Sequence, residues 1–400
     1  MRTKHKLVIF LGIIVSVVLT VQTVANSYSL SRDQEIRGTW LTNIDSDVLF
    51  SKKSIENALD RLDEINFNTV YPTVWQGGYT LYPSDITESI YGKSIDPDPH
   101  FQDRDMLEDI INKGHQLDLT VIPWFEFGFM QPVDSPLVKQ HPEWLTERRD
   151  GSQVEIKGED KVVWLNPFHP EVQGFILDLV TEIISKYDVD GIQFDDHFGL
   201  PVAFGYDDYT RKLYQQQMNV TPPQDPRETF WVRWRADQLN DFMGRVYHTI
   251  KAANPDCLVS VSPNPLHFAL PAHLQDWLTW EERGYIDELV LQVYRTDMAR
   301  FSDELKRTEV QLANSNIPVA IGILSGLKNR PTPIELIEKQ VKEVRDRGFN
   351  GVSFFFYESL WKWGEKSALQ REQAFYDLFS SPASREAYSP TQMPNKRQNN

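Results

Sequence analysis

Four carboxylates, Glu126, Asp195, Asp196 and Glu358, each close a short β-rich run. Side chains alternate along a strand, so in Gly191–His197 (GIQFDDH) Ile192 and Phe194 share one face and Gln193 and Asp195 the other. The apolar face must pack on helices, which aims Asp195 inward and sets Asp196 and His197 at the rim. The same parity puts Ile122, Trp124 and Glu126 opposite Val121, Pro123 and Phe125. It turns Gln292 and Tyr294 inward between Leu289, Leu291 and Val293, with Arg295 and Asp297 just beyond. In the last run Ser353, Phe355 and Tyr357 are expected inside and Val352, Phe354 and Phe356 outside, with Glu358 following. Carboxyls converging among aromatic rings suit glycoside hydrolysis, which takes one carboxyl as acid and a second as nucleophile or base. Asp195, the deepest, is expected to act at the anomeric carbon, and Glu126 or Glu358 to donate the proton. Trp40, Tyr71, Trp75, Trp124 and Tyr357 offer flat faces for sugar rings. Asn166, Gln292, Tyr294 and Arg295 offer groups for hydroxyl or acetamido substituents.

These side chains meet only if the strands that carry them lie side by side. The β-rich runs are Ile36–Asn43, Thr69–Gln76, Leu119–Phe127, Gly191–Phe198, Leu258–Asn264, Leu289–Arg295, Val319–Leu324 and Gly351–Tyr357. Helical stripes alternate with them: Val172, Phe175, Ile176, Leu179, Val180, Ile183 and Ile184 recur at three- and four-residue spacing. Ile334, Ile337, Val341 and Val344 repeat the pattern with Gly348 past its end. Ile55, Ala58, Leu59 and Leu62 do so after Ser54, the expected N-cap. Asn68, Asp190 and Asn350 each sit in a polar turn that launches a strand. Eight strand–helix units predict an α/β fold, a (β/α)8 TIM barrel forming a single domain over 33–379, with a long loop, Gly128–Asn166, after the third strand. A doubly wound open sheet would carry a Gly-rich phosphate loop, and no such pattern occurs.

Composition narrows the partners. Lys+Arg 41 against Asp+Glu 57 gives −16, which argues against nucleic acid, whose binders carry a basic footprint. The single cysteine, Cys257, precludes an intrachain disulfide framework and reads as a small buried residue. Arg2, Lys4 and Lys6 precede the apolar run Leu7–Leu19, and no charge occurs from Leu7 to Ser31. Residues 1–25 therefore read as a signal peptide or an uncleaved membrane anchor, and the working part as exported to the periplasm or cell envelope. Residues 380–400 lack apolar periodicity and read as a disordered tail.

The stretches Glu35–Asn43 (EIRGTWLTN), Asn68–Pro72 (NTVYP), Trp164–Pro167 (WLNP), Gly191–Asp196 (GIQFDD), Gln292–Tyr294 (QVY) and Gly351–Tyr357 (GVSFFFY) resemble glycosyl-hydrolase-like family ten. The resemblance runs from about Glu35 to about Phe379, and the paired aspartates are its most specific part. It implies a TIM barrel, export to the envelope, and hydrolysis of peptidoglycan glycan strands stripped of their peptides. The catalytic positions it implies are Asp195 and Asp196, with Glu126. Many members carry Tyr where this chain has His197, which joins the expected sugar contacts. The expected partner is a polysaccharide, with no cofactor and no metal. Two other readings stand beside it. Phe194-Asp195-Asp196 also resembles the aspartate motif of metal-dependent polysaccharide deacetylases, but their H-x3-H is missing, since His267 and His273 have five residues between them. A barrel that binds glycan without cleaving it shares the fold, though it has no need of three strand-end carboxylates.

Overall fold

The computed structural model describes residues 33–385. The leader expected at 1–25 and residues 386–400 of the expected tail lie outside them. Eight parallel strands close into a barrel: Ile36–Leu41, Thr69–Gln76, a third in two pieces (Thr120–Val121 and Trp124–Phe125), Gly191–Asp195, Leu258–Ser262, Glu288–Gln292, Val319–Leu324 and Gly351–Phe355. The first strand pairs with both the second and the last, which closes the ring. The third breaks at Pro123, which has no N–H for the ladder. Helices form where the stripes predict, among them Pro170–Lys186 and Ile334–Asp346. The helix Lys52–Glu64 starts earlier than expected. Its N-cap is Ser51, whose hydroxyl accepts from Ser54 N at 3.0 Å, so Ser54 lies inside the first turn.

The polar turns act as clamps at the N-terminal end of the barrel. The Asn68 side chain accepts from Arg37 N at 3.0 Å, and its own N–H donates to Arg37 O at 3.1 Å. Asp190 repeats this on Val121, Asp287 on Val259 and Asn350 on Val319. Each residue before an even-numbered strand thus staples the odd-numbered strand preceding it and satisfies backbone groups that burial would otherwise orphan. Inside the barrel a polar column descends from Trp40. Its Nε1 donates to Gln193 Oε1 at 2.7 Å, Gln193 Nε2 to Ser260 Oγ at 2.9 Å, and Ser260 Oγ to Glu288 Oε1 at 2.8 Å. Arg385 pairs with Glu288 from below and donates to Thr69 Oγ1 at 2.8 Å.

The start of the tail thus departs from expectation. Ser381 O accepts from Arg37, Ala383 O accepts from Asn68, and Ser384 bridges Gln34. Residues 381–385 are held by polar contacts, a signal that apolar periodicity does not register. The loop after the third strand is also built. Met130–Pro132, Glu155–Lys157 and Asp160–Trp164 form a separate three-stranded antiparallel sheet. Gly128, at φ +48°, starts it. A Cβ there would lie 2.4 Å from His197 O, so only glycine lets the loop reach the end of the fourth strand, where Phe129 N donates to that carbonyl.

Candidate active site

At the C-terminal mouth, where barrels place chemistry, Trp40, Trp124, Glu126, Asp195, Asp196, His197, Ser262, Gln292, Tyr294 and Phe355 line one pocket of about 90 Å³. Inward parity holds for the third, fourth and sixth strands: Ile122 and Trp124 pack in the barrel interior, while Val121, Phe125, Ile192, Phe194, Leu289 and Leu291 pack against the helices. It lapses in the eighth. That strand ends at Phe355 and the helix Tyr357–Trp361 begins two residues later, so Phe356 turns inward and Tyr357 outward.

Each carboxyl in the pocket has different company. Glu126, 6% exposed, accepts on Oε2 from Thr42 Oγ1 at 2.9 Å and Thr73 Oγ1 at 3.0 Å. Burial, reinforced by the Asp195 charge and opposed by the two threonines, pushes it up to about 7. Asp195 accepts from His197 N at 2.8 Å and faces His197 Nδ1 at 3.3 Å. Burial raises it to about 6 against the pull of His197. For Asp196 burial also raises, but the His197 charge and the Gln292 hydrogen bond outweigh it and hold the group below the ordinary carboxylate value. Its two oxygens accept from Asn264 Nδ2 at 2.9 Å and Gln292 Nε2 at 3.0 Å. His197 Nδ1 donates to Glu126 O at 2.8 Å. Desolvation lowers this imidazole, but the two aspartates overcome it and lift the group to about 9. Near neutral pH the pocket thus holds two carboxylates, an imidazolium and a carboxyl poised at its own titration. Trp124 Nε1 and Ser262 Oγ, both buried at its wall, have no hydrogen-bond partner among the described residues and are free to hold sugar hydroxyls.

Five expected site residues lie elsewhere. Glu358 accepts from Ser46 Oγ at 3.2 Å and pairs with Lys362 at 2.8 Å, carried off by the helical turn that follows the strand. Tyr357 packs outward against Trp361. Tyr71 points down the barrel and donates to Glu288 at 3.2 Å. Asn166 donates to Asp207 and Thr210 at 2.9 Å, pinning a loop to a helix N-terminus. Arg295 pairs with Glu304 at 3.0 Å. Of the remaining residues named from sequence, Trp75 packs outward on Phe175, Asp297 caps the helix Met298–Leu305, and Cys257 lies in the outer core with its thiol pushed up to about 12 by burial. Ser262, Thr42, Thr73 and Asn264 were not among the site residues expected from sequence. Parity along Leu258–Ser262 (LVSVS) carried a signal for Ser262, since the valines pack outward.

Comparison with known proteins places this geometry. Glycosyl hydrolase DigH of Escherichia coli (strain K12) is 26% identical over 306 residues, 65% of this chain and 66% of DigH. Glycosyl hydrolase YngK of Bacillus subtilis (strain 168) is 24% identical over 321 residues, 70% of this chain and 58% of YngK. The chain thus spans just under two thirds of the first and less of the second. Among solved structures, the PgaB (BpsB) glycoside hydrolase domain from Bordetella bronchiseptica superposes with a TM-score of 0.61 at 14% identity, covering 83% of this chain and all of that one. The catalytic domain of a beta-amylase from Paenibacillus polymyxa gives 0.58 at 10% identity, covering 86% of this chain and 98% of that one. These likenesses confirm the TIM barrel. A family model matches residues 35–343, a stretch that takes in seven strands and the three pocket carboxyls, and the chain belongs to the family described as glycosyl hydrolase-like 10.

Proposed function

We propose that the protein is a glycoside hydrolase acting on an envelope polysaccharide, with peptide-free glycan strands of peptidoglycan as its substrate. The observation that carries this reading is the convergence of Glu126, Asp195 and Asp196 on one small pocket, where their neighbours divide the protonation: Glu126 pushed up to about 7 and Asp196 held low, with Asp195 between them. Glycoside hydrolysis needs a carboxylic acid to protonate the leaving oxygen and a carboxylate to meet the positive charge that grows at the anomeric carbon. Glu126, which still holds its proton in part near neutral pH, is the acid, a role that the displaced Glu358 cannot fill. Asp195, ionised above about pH 6 and held by His197, works at the anomeric carbon. Asp196, fixed by Asn264 and Gln292, stays charged and stabilises the oxocarbenium-like transition state. Trp124 Nε1 and Ser262 Oγ hold the ring that reacts.

Export to the envelope is part of this proposal and rests on residues 1–25. One observation favours a second reading, a metal-dependent deacetylase: Asp195, Asp196 and His197 each offer a ligand atom, all within 4.8 Å of one another. Against it, the H-x3-H pair that such an enzyme sets beside its aspartate is missing from the sequence. The deciding experiment incubates the purified protein with intact and amidase-treated peptidoglycan, with and without a chelator, and weighs the released sugars. Chelator-insensitive release of glycan fragments from treated material is expected. Release of acetate alone, or no release, overturns the reading.

A further inference from the structure

Beside the pocket lies a larger groove of about 390 Å³, between the turn Pro201–Phe204 and the helix Leu266–His273. The insertion after the third strand forms its other wall through Arg148 and Glu155. His273 lines the groove, and its charge reaches Asp196 in the pocket. Its carbonyl accepts from Leu200 N at 2.8 Å, which ties the groove wall to the loop leaving the catalytic strand, and its Nδ1 is buried with no hydrogen-bond partner among the described residues.

The groove concentrates positive charge on a chain whose net charge is −16. The Arg148 guanidinium lies 4.2 Å over the Phe204 ring and donates through Nη1 to Val154 O at 2.7 Å, while its Nη2 is paired with Glu155 only loosely, at 3.8 Å. Arg227 is exposed; its backbone N donates to Asp225 Oδ1 at 2.9 Å, but its guanidinium pairs with no carboxylate among the described residues. Lys157, on the adjoining hairpin, rests 5.1 Å from the Trp164 ring, also without an acidic partner there, and its charge reaches both Asp196 and His197. Against these stands one groove carboxylate, Glu155, which also accepts from Trp164 Nε1 at 3.2 Å. A neutral sugar needs aromatic faces and hydrogen bonds, which the half-exposed Phe268 helps to supply. It does not need an exposed arginine side chain left without a carboxylate and a second held only loosely by one. Guanidinium groups not committed to a close carboxylate match a sugar that brings its own.

We propose that this groove is a subsite for a carboxylate-bearing sugar of the strand whose neighbouring unit occupies the catalytic pocket, with Arg148 and Arg227 as its anion contacts. The inference deepens the hydrolase reading and rests on it. It also supplies a reason for a preference for stripped strands: cutting a stem peptide from its lactyl ether leaves a free carboxylate on that sugar, where an amide stood before.

The test takes glycan oligomers from amidase-treated peptidoglycan, half left as free acids and half converted to methylamides, and measures kcat/KM and calorimetric affinity. The free acid is expected to be preferred roughly tenfold, through KM, with the preference shrinking as salt rises. Arg227→Gln should shrink that ratio several-fold, and Arg148→Gln likewise, with Arg148→Lys restoring part of it. Arg227 is exposed, so its variant keeps the test sound if Arg148→Gln fails to fold. Equal kcat/KM on acid and amide, or variants that lower both alike, overturns the groove and leaves the hydrolase. Binding of the acid oligomers that Arg227→Gln weakens, with no cleavage of any glycan, overturns the hydrolase and leaves the groove. Neither binding nor cleavage overturns both.

Discussion

The two ends of this barrel bury the same chemical group to the same depth and treat it in opposite ways. At the N-terminal end Glu35 is 7% exposed and Glu288 2%; at the C-terminal end Glu126 is 6% exposed and Asp195 3%. Burial does not distinguish them. Company does. Glu35 takes Arg37 at 2.8 Å and Arg345 at 2.6 Å, and Glu288 takes Arg385, Tyr71 and Ser260. At the mouth Glu126 receives two threonine hydroxyls and no cation, and one imidazole serves both aspartates. A barrel thus spends guanidinium groups where it needs strength and withholds them where a carboxyl must keep or exchange a proton.

If that contrast is right, the largest effects on turnover come from the mouth and leave the fold alone. Asp195→Asn should lower cleavage of amidase-treated glycan on the order of 10⁴-fold without lowering the melting temperature. Full cleavage by that variant would remove Asp195 from the chemistry. Glu126→Gln should cost about 10²–10⁴-fold on natural strands, and much less on an aryl glycoside whose leaving group needs no proton. An equal loss on both substrates would deny Glu126 the acid's role. Activity should trace a bell, rising as Asp195 ionises near 6 and falling as Glu126 loses its proton near 7. The two limbs belong to the coupled pair, and Glu126→Gln should erase the upper one.

The opposite end should answer with stability and not turnover. Arg385→Ala leaves Glu288 charged and buried with no cation, at a cost of about 3–5 kcal/mol, read by urea melts, while kcat at room temperature stays near the parent's. A variant that melts like the parent would show that the residues below the barrel close nothing.

What the sequence discloses follows the same division. Strand order and the inward carboxyls were legible because parity and helical spacing are local: Glu126, Asp195, Gln292 and Tyr294 all meet in the pocket as alternation requires. Glu358 and Tyr357 were misplaced because parity expires where a strand turns into a helix at Phe356. Arg295 and Asn166 looked like sugar contacts because their true partners, Glu304 and Asp207, approach through tertiary structure. Arg385 was hidden for the same reason, since nothing in a polar tail says that one guanidinium lies beneath a barrel 97 residues away in sequence from its carboxylate. Asn68, Asp190 and Asn350 were recognised as strand launchers. That they clamp the preceding strand depends on closure, which no single unit shows.

The smallest expected effect separates the ends by pH. Glu126 moves from an ordinary 4.5 to about 7 on folding, Asp195 from 3.8 to about 6 and His197 from 6.5 to about 9. All three bind protons more tightly in the folded protein. Each therefore contributes stability that is fully present below its unfolded value and is lost as pH rises through its folded one. The mouth should weaken the fold steadily from about pH 4 to about pH 9. Glu126→Gln deletes one of the three contributions. It should match the parent near pH 4 and exceed it near pH 8 by on the order of 3 kcal/mol, with urea melts at both pH values as the measurement. A variant no more stable than the parent at pH 8 would mean that the threonines at the mouth solvate a charged Glu126 as well as water does, and the contrast between the two ends of the barrel would collapse with it.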